Sequence, residues 1–476
     1  QDEDFRGSVG PESYMADDGD TSDEELPHII VGGQADTPQP VRKAYKAYAP
    51  RTDRNPSLRR IKSNAEMHTL WEPIINKESS GMIKLGAMKQ LQDDEYADEP
   101  ITPHVTDCST RRDDSKKARI CINGKAEKKR GVFPSREFLR SPAMEEVLLR
   151  FLYSLGAYYR LLRKESDVAQ CFQNVPMSSV RIPRNIVIFL SELECRVPGG
   201  ARFLMQSCGY GTADAGREWF IIIEAFFLDQ GFSQCDYNEC LFVKHIGTEG
   251  IIIIGVATDN TLRIHTRDPA TIEADQELMQ AMDNRWKMTH GEHSDLLGVV
   301  VTENLDESWT LTQPSQIKTV QDHFYPNGKG PYVIAPGKRI AHARMNDKYS
   351  QADYMSGLGK CGYLRLTRAD LRAGMAILGE SLQDPTVKDA EQLEWIASMI
   401  CTTKAVGLTF HAGPRDASIR AKVPLHGSSD AAWSTEKTSQ SRLGFMIGIG
   451  LPPTYEKGEV RSAPFLFKSM KEKSTV

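Results

Sequence analysis

Apolar and polar positions change their period several times along the chain, and the changes predict helices alternating with strands. Trp71 to Leu85 carries helical spacing and ends before Gly86. Ala118–Ile122 reads as a strand, with Asn123-Gly124 behind it as a turn signal. Ser141-Pro142 then opens a helix, with Ser as cap, Pro at the first helical position, and Glu145 and Glu146 near the positive dipole end. Val147, Leu148, Phe151, Leu152 and Leu155 form its apolar face. A short strand carries Asp167 and Val168. The spacing predicts a helix over Ala215 to Gln230, with Trp219, Ile222, Ile223, Phe226 and Phe227 towards a core and Gly231 as the stop. Strands are expected at Leu241–Lys244, Ile251–Ala257, Leu262–His265, Leu297–Thr302 and Trp309–Thr312. From about Ser356 the pattern turns helical, and strands return near Pro424–Ser429 and Gly444–Ile449. Helices interleaved with a largely antiparallel sheet make an α+β fold.

Four isoleucines, Ile251 to Ile254, mark a buried strand, and Thr258-Asp259-Asn260 marks a tight hairpin tip. Asp and Asn favour turns for local hydrogen-bonding reasons. A carboxylate at such a tip also binds a divalent metal when a second carboxylate stands on the neighbouring strand. Both readings stay open on this segment alone. Asp167, on another expected strand, is the candidate second carboxylate.

The chain has 476 residues, enough for two or three domains. Its uncharged apolar stretches, around Ile251–Ala257 and Phe220–Ile223, are too short to span a bilayer as a helix. An acidic, polar start carries no secretory signal, and a first residue of Gln suggests a piece of a longer translation product. Nine scattered cysteines without a CxxC argue against a disulfide framework or zinc site and for a reducing compartment. Residues 1–26 hold ten acidic groups and one Arg, nine net negative charges, so the remainder carries +4 against −5 for the whole chain. A basic groove is therefore compatible with the composition. Residues 1–65 read as a disordered linker, acidic and then basic through Arg42, Lys43, Lys46, Arg51, Arg54, Arg59, Arg60 and Lys62. The chain contains no P-loop, GxGxxG or HExxH motif.

Ser166-Asp167-Val168-Ala169-Gln170-Cys171-Phe172-Gln173-Asn174 resembles the Asp-Val-x-x-Ala-Phe-Leu-Asn motif of the Ty1/copia-type reverse transcriptases of LTR retrotransposons. Tyr210-Gly211-Thr212-Ala213-Asp214-Ala215 through Trp219 resembles the family's Tyr-Gly-x-x-(Gln/Glu)-Ala-x-x-x-Trp segment. Ala257-Thr258-Asp259-Asn260 falls where the family has Tyr-Val-Asp-Asp or Gln-Thr-Asp-Asp. Lys117-Ala118-Arg119, Leu297-Gly298-Val299, Leu311-Thr312-Gln313, Thr367-Arg368-Ala369-Asp370 and Ser429-Asp430-Ala431-Ala432-Trp433 follow family motifs in order. Each motif is weak alone; their order over residues 70–476 carries the resemblance.

The resemblance implies fingers and palm over 66–345, a mostly helical connection over 346–418 and a truncated RNase H-like α/β segment over 419–476. It implies RNA-directed DNA polymerase activity by two-metal nucleotidyl transfer, with two Mg²⁺ ions (or Mn²⁺) on Asp167 and Asp259. Phe172 becomes the steric gate that rejects a ribose 2′-hydroxyl, Lys117 and Arg119 grip the triphosphate, and Tyr210, Gly211 and Asp214 support template and nucleotide. Trp219 reads better as core. The implied partners are an RNA template, a DNA primer, dNTPs and the other polyprotein segments, integrase upstream and the rest of RNase H downstream. The implied location is a cytoplasmic virus-like particle, or the nucleus. Two departures matter. Asn260 stands where a third carboxylate is expected, which predicts weakened or absent polymerase activity. In the RNase H-like segment only Asp430 of the needed carboxylates is present, which predicts no RNA cleavage. The alternatives are a catalytically dead remnant that binds nucleic acid, and an unrelated α+β protein in which Asp259-Asn260 is only a turn. The separation of Asp167 from Asp259 decides against or for the last.

Overall fold

The computed structural model describes residues 55–110, 115–291, 296–326, 328, 330, 350–420, 423–432, 442–450 and 464–471. The chain divides into two units, Gln1–Tyr48 and Ala49–Val476, and every described residue belongs to the second. Most of the expected linker lies outside the described residues, but its last part is ordered. Ser57 caps α1 (Leu58–Ser63) by accepting from Arg60 N, and Asn64 caps α2 (Ala65–Lys84) by accepting from Met67 N. Ile61, Trp71 and Ile75 then form a small core with Cys108, Ala118 and Leu193. Helix therefore begins at Leu58 rather than near Trp71, because two cap residues and one buried isoleucine outweigh the surrounding charge.

Strand β1 (Met88–Gln90) precedes an antiparallel ribbon of β2 (His104–Thr110) and β3 (Lys116–Ile122). Asn123 does not make a hairpin here. Its side chain caps α3 (Gly124–Lys129), accepting from Lys125 N and Ala126 N, while Gly124 lies so close to Gly211 O that a Cβ would clash at 2.4 Å. The next helix, α4, spans Glu146–Tyr158 and begins later than Ser141-Pro142 suggests. Those two residues remain in the irregular segment that carries Met144 into the core, against Gly255.

Strand β4 (Leu162–Val168) follows, then β5 (Val187–Leu190), α5 (Glu192–Cys195) and β6 (Ala201–Met205). Strands β1, β6 and β5 form one small antiparallel sheet. Helix α6 (Ala215–Asp229) leads to β7 (Ser233–Cys235), β8 (Asn238–Ile246), β9 (Gly250–Ala257), β10 (Asn260–His265), α7 (Pro269–Arg285) and β11 (Met288–Gly291). The central sheet is antiparallel, in the order β11-β4-β10-β9-β8-β7. Residues 250–256 of β9 are all buried because both faces are covered. On one face a Cβ at Gly255 would strike Leu152 of α4 and Met144 at 2.6 Å, which explains glycine inside an isoleucine run. On the other, Arg263 of β10 meets Asp275 of α7 at 2.8 Å, and α6 joins through Trp219 and Phe226 against Trp286.

Strands β12 (Val300–Glu303), β13 (Trp309–Thr312) and β14 (Leu408–Phe410) make a third sheet. The strand expected from Leu297 starts at Val300, since Leu297 and Gly298 both take positive φ and form a turn. Helix α8 (Pro314–Phe324) comes earlier than the expected helical region. It packs with α9 (Gln351–Gly362), α10 (Arg372–Gly379) and α11 (Val387–Thr402) around a separate core that includes Ile317, Val320, Tyr354, Leu393 and Ile396. Strands β15 (Leu425–Ala432), β16 (Arg442–Ile449) and β17 (Leu466–Lys471) form an antiparallel trio. The architecture is α+β. Among the described residues no helix is long and apolar enough to cross a membrane.

Candidate active site

Thr258 and Asp259 form the two-residue tip between β9 and β10. Thr258 takes φ 55°, a left-handed conformation uncommon for a β-branched residue. Two bonds from outside the hairpin hold the tip. Trp219 Nε1 donates to Thr258 O at 2.7 Å, and Val168 N donates to Asp259 O at 2.8 Å. The register sets Asn260 directly opposite Asp167, with Thr289 of β11 on Asp167's other side. The structure thus brings Asp167, Asp259 and Asn260 together. Burial and then the charge of Asp259 push the Asp167 carboxyl up from its ordinary range, and Lys117 opposes them. Asn260 Nδ2 donates to Asp259 Oδ1 at 3.0 Å, so the residue in place of a third carboxylate is a donor to the second.

Beneath Asp167, Ser166 Oγ lies 2.8 Å from His290 Nδ1 and accepts from buried Arg263 Nη1 at 2.8 Å. Arg263 also binds Asp275, and His290 Nε2 lies 3.0 Å from Asp283 Oδ1. These bonds tie β4 to both neighbours and to α7.

After β4 a left-handed Gln170 turns the chain into a short 3-10 segment, Cys171–Asn174. Phe172 there meets Tyr210 edge to face, centroids 5.6 Å apart. Tyr210 carries the Arg119 guanidinium over its ring at 5.1 Å. Strand alternation puts Ala118, Ile120 and Ile122 in the core and leaves Lys117, Arg119 and Cys121 half-exposed on the opposite face. Lys117, Arg119, Phe172 and Tyr210 therefore form one group with the carboxylate pair.

Gly211 and Asp214 have local tasks. Ile122 N donates to Tyr210 O at 2.6 Å and Gly124 N to Gly211 O at 3.1 Å. Gly211 has φ 79°, and a Cβ there would sit 2.1 Å from Ile122 O, so only glycine fits. Asp214 is fully buried and accepts from both Nη atoms of Arg184 at 2.9 and 2.8 Å. Arg184 also binds Glu127, which accepts from Ala213 N at 3.1 Å. The Asp214 carboxylate is thus engaged inside the protein by Arg184. Asp430 lies on β15, opposite Gly444 in a different sheet, and its side chain is outside the described residues.

Sequence reasoning missed the bond from Trp219 to the tip, the Ser166 network and Glu78 of α2, whose charge acts on Cys121 and Tyr210. The Trp219 indole was legible only as an apolar helix position; no local signal marks where its N–H points. Among the described residues no three His, Cys, Asp or Glu side chains converge as a metal cage. Two repelling carboxylates with oxygen-only chemistry nevertheless suit Mg²⁺, which keeps several waters and needs few protein ligands.

No family model matches the chain. It is similar to the retrovirus-related Pol polyprotein from transposon TNT 1-94 of Nicotiana tabacum, 22% identical over 308 residues, 62% of this chain and 22% of that protein. It is also similar to the retrovirus-related Pol polyprotein from transposon RE1 of Arabidopsis thaliana, 22% identical over 262 residues, 53% of this chain and 17% of that protein. The chain spans less than a quarter of the length of either, at 22% and 17%. Among solved structures it is similar to a foamy viral protease-reverse transcriptase in complex with double-stranded DNA, with a TM-score of 0.45 and 12% identity over 84% of this chain and 55% of that one.

Proposed function

We propose that this chain is the RNA-directed DNA polymerase region of a Ty1/copia-type Pol polyprotein, weakened by Asn260. One observation carries the reading: Asp167 on β4 and Asp259, at the tip that leads into the neighbouring β10, act on each other beside the group formed by Phe172, Tyr210, Arg119 and Lys117. An ordinary turn needs no second carboxylate at that register position, and no cationic strand facing it. The similarity to Pol polyproteins of plant transposons supports the same reading.

In this proposal the central sheet is the palm and the β2–β3 ribbon belongs to the fingers. Asp167 and Asp259 would hold two Mg²⁺ ions, or Mn²⁺. When bound, such ions neutralise the phosphate charge and acidify the attacking primer hydroxyl. Arg119 binds phosphate oxygens of the dNTP in forked geometry, and Lys117 adds a point charge. Phe172, braced by Tyr210, fills the space of a 2′-hydroxyl. RNA template and DNA primer are the partners, within a polyprotein that also holds integrase and the remaining RNase H. The site of action is a cytoplasmic virus-like particle or the nucleus.

The Asn260 amide bonded to Asp259 favours a second reading, a remnant that binds nucleic acid without extending it. Primer extension on poly(rA)/oligo(dT) with Mg²⁺ or Mn²⁺ separates the two. Asn260→Asp is expected to raise the rate at least about 10–100-fold, the scale on which supporting ligands of a metal site act. Asp167→Asn in that background should abolish it. No extension by Asn260→Asp, with duplex still bound, supports the remnant.

A further inference from the structure

Ser166 stands on β4 one peptide bond before Asp167, and successive strand side chains point to opposite faces of a sheet. Its hydroxyl meets two partners. Arg263 Nη1 donates to Oγ at 2.8 Å, and Nδ1 of His290, on β11, lies 2.8 Å from it. A hydroxyl carries one proton, and a guanidinium only donates. The Ser166 proton is therefore left for His290, which makes Nδ1 the acceptor and puts the ring proton on Nε2. Nε2 faces an acceptor, Asp283 Oδ1 of α7, at 3.0 Å. Donors and acceptors thus match in one direction along Arg263, Ser166, His290 and Asp283. The order Asp, His, Ser also suits nucleophile activation. Ser166 is only 2% exposed, however, and its oxygen already accepts from a buried arginine, so no substrate reaches it.

Asp167 is held unequally by its neighbours. Strand β10 pairs with β4 over six residues, whereas β11 is the edge strand and pairs over four, with Thr289 opposite Asp167. His290 reinforces this weaker side with one side-chain bond to β4 and another to α7. Building on the polymerase reading, we infer that His290 is a positioning residue for Asp167. It pins the end of β4 through Ser166, so that the carboxylate on the opposite face stays beside Asp259 when a divalent cation binds. Without that acceptor the cation must order the strand end itself, and its affinity falls.

The test is Mn²⁺ binding to the full chain, read from loss of the free-ion EPR signal. His290→Asn and His290→Gln separate the two bonds of the ring. The Asn amide falls where Nδ1 was and keeps an acceptor for Ser166, whereas the Gln amide falls where Nε2 was and keeps only the bond to Asp283. The His290 side chain is 23% exposed, so either amide is accommodated. His290→Gln should bind Mn²⁺ about tenfold more weakly than the parent, and His290→Asn should stay within a few-fold of it. Asp167→Asn should lose binding. If it does, while His290→Asn binds as weakly as His290→Gln or both bind like the parent, the role of His290 is overturned and the carboxylate pair stands. If Asp167→Asn binds like the parent, the metal-ligand role in the polymerase reading falls, and this inference with it.

Discussion

Of the two bonds that hold the Asp259 tip from outside the hairpin, one comes from an indole N–H. The bond from Trp219 to Thr258 O fixes a turn that a β-branched residue adopts reluctantly. Trp219→Phe keeps a ring in the core and removes the donor. Urea unfolding should show a loss of about 1 kcal/mol. If the proposed polymerase reading holds, kcat in an Asn260→Asp background should fall while KM for dNTP stays nearly unchanged, since the turn would orient a metal ligand without touching the base. Asp167 makes a second prediction. Its carboxyl is raised by burial and by Asp259, so the folded state favours the protonated form. The stability it contributes is present at acid pH and lost as pH rises through its folded value. A divalent cation should therefore raise the melting temperature more at pH 8 than at pH 4, close to the carboxyl's ordinary value of 3.8, with the effect absent in Asp167→Asn. Equal shifts at both pH values would remove the carboxylate pair as the binding site. The residues of this cluster were legible in the sequence because Asp, Phe, Tyr-Gly and Asp-Asn are sparse markers that keep their order. His290 was not, because only the pairing of β11 with β4 brings it there.

At the scale of elements, the four-residue α5 is a junction rather than a helix of consequence in itself. Glu194 accepts from Ser191 N and Oγ and from Thr106 Oγ1, and lies 2.9 Å from His104 Nε2. Burial opposes its charge, yet these hydrogen bonds hold its pKa down to about 2, from 4.5. With a depressed folded value, its stabilisation is present above pH 4.5 and lost as pH falls towards 2. Glu194→Gln should cost about 3 kcal/mol at neutral pH, by 1.36 kcal/mol per unit, and flatten the acid limb of the unfolding profile. Parallel acid limbs for parent and variant would refute the assignment. Helix and strand types were legible wherever the apolar period was long, as in α6 and β9. Boundaries failed where one signal serves two purposes. Asn123-Gly124 is a hairpin signal and a helix cap, and Ser141-Pro142 is a helix start that here only delivers Met144. Helix α8 was missed, although Pro314 marks its start and Ile317, Val320 and Phe324 share one face.

At the scale of the molecule, the central sheet and the C-terminal trio share one core, whereas α8 to α11 keep another. Arg150 of α4 and Arg372 of α10 both lie over the Phe467 ring of β17, at 4.5 and 5.1 Å, and share Glu146. Arg150 also donates to Phe465 O at 2.7 Å. Burial, and then Arg372, lower the Arg150 pKa to about 10. Phe467→Ala should cost about 3–5 kcal/mol and raise hydrogen exchange in 464–471 far more than in β9. Uniform exchange would mean that the trio is not held at this joint. The order of domains was suggested by motif order alone; such a joint, made of residues more than 300 apart, leaves no local trace.

The burial of β9 on both faces has a consequence outside the finished fold. Ile251 to Val256 is uncharged, free of proline and rich in β-branched residues, and until α4 and α7 close over it nothing shields it from a second chain. Refolding yield should therefore fall steeply with protein concentration, and Ile253→Lys should rescue solubility only by sacrificing the sheet that carries Asp259.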